Sequence, residues 1–193
     1  MIKDLIKRSR SYRRFHQSES VSIEALRELV DLARLSPIEA NFQELKYILL
    51  NDPEKNEAVF SCLGWAGFLK DWAGPKEGER PAAYIVILKD TTVMKRTGIG
   101  HGIAAQSILL GATEKGLGGC MLQSVDKDKL REQLNIDDTF EILLVIALGK
   151  PLEKVIIDEI DNVESAKYWR DEDNRHHVPK RKLKDIIVET YGN

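Results

Sequence analysis

The sequence predicts a mixed α/β layer, a sheet covered by helices, and three observations carry that prediction. Short apolar runs with strand character alternate with stretches whose apolar residues recur at helical spacing. The run "EILLVIALG" at 141–149 is so apolar that both of its faces are expected to be covered. The chain has 193 residues, 42% of them hydrophobic and 31% charged, which suits one real core of ordinary globular composition. A single domain over 1–193 follows, with 160–193 as an extended tail.

The elements are justified in chain order. Residues 2–8 form a short helix that enters the basic stretch "KRSRSYRRF" at 7–15. "SIEALRELVDLARLSP" places Ile23, Leu26, Leu29, Val30 and Ala33 on one helical face, with Ser22 as N-cap and Pro37 helping to end the helix. "LKYILL" at 45–50 and "AAYIVIL" at 82–88 read as strands. The stretch 97–115 has helix length and is apolar almost all round. Gly102, Ala104, Ala105, Gly111 and Ala112 keep it slim, which suits a core or a subunit interface. "DKDKLREQL" at 126–134 is a surface helix. The tail is rich in charge and aromatics, then ends in "DIIVETY". That last piece has two readings: a strand pairing with a distant edge, such as a partner subunit's, or a short helix packed locally.

Composition excludes several classes. "MIKDLIKRSR" lacks the apolar region of a secretory signal. The longest uncharged run, 97–113, is too short and too broken by glycine to span a membrane. Cys62 and Cys120 show no CxxC spacing, so a reduced, cytoplasmic protein is expected. Residues 1–15 carry a balance of +5, residues 175–184 another +5, and the whole chain -2, which leaves an acidic body between two basic ends. That pattern argues against a broad nucleic-acid face and suits small patches for a compact anion.

The common catalytic signatures are missing. Ile103 breaks a GxGxxG pattern, Leu117 stands where a P-loop needs lysine, and there is neither HExxH nor GxSxG. His176 and His177 are adjacent and point apart on any regular element, so no metal is expected. Cys120 reads as a small buried hydrophobe. In "KRSRSYRRF", arginine forks suit phosphate oxygens, and Ser9 and Ser11 add donors. From these residues alone three readings stay open: an anion site, a solvated basic loop, or a nucleic-acid contact with Tyr12 and Phe15 stacking on bases.

Ordered motifs narrow the choice. "RSYRRF", a helix, and then "LARLSPIEANFQELKY" resemble the start of the nitroreductase family of FMN-dependent NAD(P)H oxidoreductases. Arg10, Ser11, Arg13 and Phe15 match the family's first motif; Ser36, Pro37, Asn41 and Gln43 match the second. "GIAAQSILLGATEKGLGGCML" is similar to the family's small-residue helix and its G-L-G turn, and "PKRK" to its C-terminal basic segment.

The resemblance implies an α+β sandwich with a mostly antiparallel central sheet flanked by helices, in an intertwined homodimer with FMN at the interface. It implies that Arg10, Ser11 and Arg13 hold the flavin phosphate, with Lys180, Arg181 and His177 from the tail. Pro37, Ile38, Glu39 and Asn41 would come from the partner subunit and line the ring. Met121, Leu122, Gln123 and Ser124 would lie along the flavin. Ile38, Glu39 and Glu44 depart from the family pattern, and a Glu39 carboxylate facing the ring would disfavour an anionic reduced flavin; the equal alternative is a Glu39 that points to solvent. Mid-chain contacts are expected in "LKDWAGPKEGERP", while Trp65, Phe68 and Trp72 read as core aromatics rather than a flavin lid.

No catalytic side chain is implied, because the flavin carries the chemistry. NADH or NADPH would pass a hydride to flavin N5, and a nitroaromatic, quinone or enone would then take two electrons in a ping-pong cycle. The alternatives are a flavin-binding or storage protein without NAD(P)H turnover and, behind it, a nucleic-acid-binding module.

Overall fold

The computed structural model describes residues 1–192. Tertiary contacts divide the chain into two compact units, one of Met1–Trp65 with Ala73–Leu152, the other of Ala66–Trp72 with the chain from Glu153 onward.

The first unit is built on a four-stranded sheet. Its strands are β1 (Leu45–Leu50), β2 (Ala83–Asp90), β3 (Gly118–Leu122) and β4 (Phe140–Gly149), in the spatial order β1-β2-β4-β3. Every pairing is antiparallel, so the fold is α+β. Alternation of strands with helices suggested a mixed layer but cannot choose strand direction, which depends on where each helix returns the chain.

Helices α1 (Ile2–Arg8), α2 (Ile23–Leu35), α3 (Pro53–Phe60), α4 (Gly100–Glu114) and α5 (Lys127–Leu134) complete the unit. On one sheet face, Leu26, Leu29 and Ala33 of α2 and Ala104, Ala105, Ile108 and Ala112 of α4 pack with Ile85, Ile87, Ile146 and Leu148. On the other, Val59 of α3 and Leu130 of α5 pack with Tyr84, Val86, Leu88, Ile142 and Val145. The two central strands are therefore covered on both sides, as their unbroken apolar runs require. A register shift between Ile87 and Leu88 leaves Leu143 unpaired, so Leu143 and Leu144 both turn to the first core.

Local chemistry explains the helix ends. Ser22 Oγ accepts from Ala25 N at 3.1 Å, Asp52 from Lys55 N at 2.9 Å and Asp126 from Lys129 N at 3.1 Å. Helix α3 was not anticipated, although Asp52-Pro53 is a helix-start signal. The small residues of α4 matter at Gly111, where an added Cβ would lie 2.3 Å from Leu32 Cδ1. The sequence shows only a G-L-G turn ahead of β3. Its "GGCML" has weak strand propensity, and pairing with β4 makes it a strand.

The second unit holds a small sheet of β5 (Val155–Ile160), β6 (Trp169–Arg170) and β7 (His176–Arg181), ordered β5-β7-β6. Strands β5 and β7 are parallel, β6 and β7 antiparallel. Arg170 bonds the fully buried Glu153 side chain at 3.1 Å and lies 4.1 Å over the Trp72 ring. Phe68, expected in the core, is 56% exposed and rests against Tyr168. Trp65, in the first unit, does pack against the second core cluster. Beyond a short turn at Leu183–Asp185, residues 186–192 form neither helix nor strand. The local-helix reading of "DIIVETY" therefore fails, since among the described residues Val188 and Tyr191 find no apolar face and stay exposed.

Candidate functional site

The basic stretch is fastened at one end by the core. Phe15 is fully buried, its N–H donates to Glu79 O at 2.9 Å, and Leu152 N–H donates to Arg14 O at 3.0 Å. Closer to the N-terminus the chain runs along the outer edge of β3. Ser11 forms a parallel bridge with Gly119, and Tyr12 N–H donates to Gly119 O at 3.0 Å. This approach is possible because β3 opens on two glycines. A Cβ on Gly118 would lie 2.5 Å from Tyr12 Cδ2, and one on Gly119 would lie 2.6 Å from Ala147 O. Two sequence-separated pieces of the expected site, residues 10–13 and 121–124, thus meet at one strand.

The cations of this stretch have different jobs. Arg14 makes a two-point bond to Glu79 at 2.7 and 2.9 Å, and that guanidinium holds the Glu79 carboxyl below its usual range. Arg8 pairs with Asp4 at 2.9 Å on the surface. Arg13 Nη1 donates to Ser11 O at 3.3 Å. Arg10 Nε is shielded from solvent and has no hydrogen-bond partner among the described residues. An arginine so placed is ready for an anion. Glu79 and Gln17, whose Oε1 accepts from Gly78 N–H at 2.7 Å and Arg80 N–H at 3.3 Å, frame the stretch. The sequence singled out the region "LKDWAGPKEGERP" but neither residue, because no spacing links them to Arg14.

Loop 36–44 is the second part of the site. It follows α2 and is unusually constrained: Ala40, Asn41 and Gln43 all have positive φ, at 44°, 53° and 56°, a region costly for residues with a Cβ. Ser36 Oγ lies 2.6 Å from Ser107 Oγ on α4. The Glu39 carboxylate turns to the start of the same helix and accepts from Ile99 N–H at 3.0 Å and Gly100 N–H at 3.3 Å. It satisfies two helix-start donors and sits at the positive end of the helix dipole. Glu44, where the family pattern has proline, is buried and its Oε2 has no partner. Burial, helped by the Glu44 charge, pushes the Tyr47 hydroxyl up to about 12. Replacing Glu39 with Ala is expected to lower stability by about 1 kcal/mol, as loss of a helix cap does. A denaturation midpoint equal to the parent's would refute the capping role.

Of the remaining expected residues, Leu122 is buried in β3, Met121 is half-buried, and Gln123 and Ser124 are exposed just beyond it. Ser124 O accepts from Gly64 N–H at 2.8 Å. In the second unit, Lys180 and Arg181 are exposed on β7, and Arg181 donates to Asp185 O at 2.5 Å. His177 is engaged on both ring nitrogens, by Asp158 at 2.8 Å and Asp171 at 3.1 Å, and stacks on Trp169 at 4.2 Å. In this arrangement neither nitrogen is left for a phosphate.

The contacts to Asp171 and then Asp158 raise the His177 pKa. Burial works against Asp171 ionisation, but bonds from Arg175 and His177 outweigh it and hold Asp171 at about 2. The His177 contribution to stability is therefore complete below the unfolded value of 6.5 and is lost as pH rises through the raised folded value. The Asp171 contribution is present above 3.8 and is lost as pH falls through about 2. Replacing His177 with Gln should flatten the fall in melting temperature as pH rises above 6.5. An unchanged slope would place that titration elsewhere.

Among the described residues no group of three or more His, Cys, Asp or Glu side chains could hold a metal, and no helix is long and apolar enough to cross a membrane. Cys62 and Cys120 are buried free thiols.

The model of the nitroreductase family matches residues 6–150. The chain belongs to that family. A curated relative from Bacillus subtilis (strain 168), described as "Putative NAD(P)H nitroreductase MhqN", is 25% identical over 178 residues, covering 76% of this chain and 86% of that protein. Among solved structures, a nitroreductase family protein from Streptococcus pneumoniae TIGR4 superposes with a TM-score of 0.71 at 18% identity, over 98% of this chain and all of that one (100%). An FMN-dependent nitroreductase from Clostridium difficile R20291 gives 0.62 at 24% identity, covering 85% and 93%. These structural likenesses establish the α+β nitroreductase fold for this chain. Within the family frame, Glu39 acquires a use that the motif comparison did not suggest: it caps α4 rather than pointing freely into solvent.

Proposed function

We propose that this nitroreductase-family protein is an FMN-dependent oxidoreductase that takes a hydride from NADH or NADPH and delivers two electrons to a small acceptor such as a nitroaromatic, a quinone or an enone. The observation that carries the reading is the shielded, unpartnered Nε of Arg10, set beside Ser11 where the basic stretch docks on β3. A phosphate there would give Arg10 the acceptor it lacks, and the resemblance assigns Arg13 and Ser11 to the same group. The nucleic-acid reading loses ground, because Arg8, Arg14 and Lys182 are already paired with Asp4, Glu79 and Asp161.

When bound, FMN supplies reversible two-electron chemistry at N5. The chain's own task is to hold, orient and polarise. Arg10, Ser11 and Arg13 would hold the phosphate, and Met121 to Ser124 would lie along the ring. Loop residues Pro37, Ile38 and Asn41, in the proposed homodimer, line the ring of the second subunit's flavin, with Glu39 fixing the loop through its hold on α4. The roles of Lys180 and Arg181 rest on the family resemblance alone. No side chain needs to act as an acid-base pair.

The test is an anaerobic absorbance spectrum of FMN-loaded, desalted protein before and after NADH or NADPH. Rapid bleaching supports the reductase reading and names the donor. Retained flavin that stays oxidised with both donors would replace it with flavin binding or specialised flavin chemistry, and no retained flavin would refute it.

A further inference from the structure

We propose a second small-molecule site in the first unit, one that takes a neutral planar lactam such as the N–H/C=O edge of a pyrimidine base. It lies where the Gln17–Ser20 turn, the opening turns of α3 and the entry to β2 enclose a cavity of about 300 Å³. It shares no residue with the segments proposed to hold FMN, and it stands or falls independently of that reading.

Three lining residues carry polar atoms that are shielded from solvent and have no hydrogen-bond partner among the described residues: Tyr84 Oη, Asn56 Oδ1 and Arg80 Nε. Folded proteins leave few such atoms, and three around one cavity are unusual. Neighbouring bonds hold their carriers in place. Asn56 Nδ2 donates to Ala82 O at 2.8 Å, which leaves its carbonyl end unused. The Arg80 guanidinium sits 4.3 Å over the Phe60 ring and bonds Glu57 through Nη1. Burial, with the Glu57 charge adding to it, pushes the Tyr84 hydroxyl far up, so it stays a phenol able to donate.

The donor and acceptor inventory selects the ligand. Asn56 Oδ1 can only accept, Arg80 Nε can only donate, and Tyr84 Oη can do either. A ligand that satisfies all three must present a donor and at least one acceptor. Glu57 offsets the charge of Arg80, so an anion would meet the Glu57 carboxylate and the Asn56 carbonyl, and a cation would meet Arg80. A neutral lactam offers N–H and C=O side by side on a rigid plane. The volume lies at the small end of ligand pockets, about 300–1,000 Å³, which suits one ring rather than a whole nucleotide.

The test is an NMR titration of the ¹⁵N-labelled full chain with uracil. Saturable shifts are expected at the Asn56 side chain, Arg80 Nε–H and the Ala82 amide. 1,3-Dimethyluracil, which has the same ring without an N–H, and benzoate, a ring-sized anion, should leave them unmoved. Tyr84→Phe should weaken uracil binding by about two- to tenfold, the worth of one hydrogen bond. Arg80→Lys keeps the charge but removes Nε–H at a partly exposed position, and it should do the same if the core variant folds poorly. Shifts that grow without saturating would mean that solvent fills the cavity and would overturn the proposal. So would dimethyluracil or benzoate binding as well as uracil, or parental affinity in the folded variants.

Discussion

Replacing Arg10 with Ala is expected to weaken FMN binding by about 10- to 100-fold while leaving riboflavin, which lacks the phosphate, within about twofold. The asymmetry follows from the position of Arg10. Its Nε is shielded from water and has no hydrogen-bond partner among the described residues, so on the proposed reading its interaction goes to the anion. Arg14 is the control. Its guanidinium is engaged by Glu79 at two points, with only 20% of the side chain exposed. Its loss should lower the unfolding midpoint far more than it discriminates between FMN and riboflavin. Fluorescence titration of both flavins against both variants decides the matter. Equal weakening of FMN and riboflavin by the Arg10 variant would remove Arg10 from the phosphate site.

Gly119→Ala should destabilise the chain by about 1–3 kcal/mol, the usual cost of forcing a methyl group into a packed interior. The new Cβ would stand 2.6 Å from Ala147 O, 2.7 Å from Leu109 Cδ2 and 2.9 Å from Leu148 Cδ2. The first of these is backbone and cannot yield without loosening the pairing of β3 with β4. Because Ser11 bridges to this same residue, flavin retention should fall with stability. Gly102→Ala, where an added Cβ meets nothing within 4 Å, should leave the urea midpoint unchanged or slightly raised. Matching midpoints for the two variants would show that β3 tolerates a side chain at Gly119 and that its close packing is not needed.

Much of the first unit was legible. The runs 45–50, 82–88 and 141–149 became β1, β2 and β4 within a residue or two, because a strand buried on both faces must be apolar throughout. The face Leu26, Leu29 and Ala33 lies in the core as its spacing requires. Helix α3 was missed despite its Asp52-Pro53 start, since its short polar sequence shows little apolar periodicity. Strand β3 was missed because glycine supplies no propensity signal, and glycine is what its neighbours demand.

The candidate site divides in the same way. Residue types and motif order pointed to Arg10, Ser11 and Arg13 as an anion site, because arginine chemistry is carried by the side chain itself. What occupies Arg14 was not legible: Glu79, 65 residues away, holds it at two points, while Arg10 Nε has no hydrogen-bond partner among the described residues. Glu39 is the clearest case of a side chain whose meaning changed. Its sequence position suggested a charge near the ring or in solvent, and the fold turns it to the start of α4.

By itself, then, the sequence determined the family and the buried strands, since these depend on local composition and on motifs read in order. Only the tertiary structure decided the docking of Ser11 on β3, the pairing of Arg14 and the engagement of His177 by two carboxylates. Each of those depends on which distant groups come within about 3 Å, the range over which hydrogen bonds and ion pairs take hold.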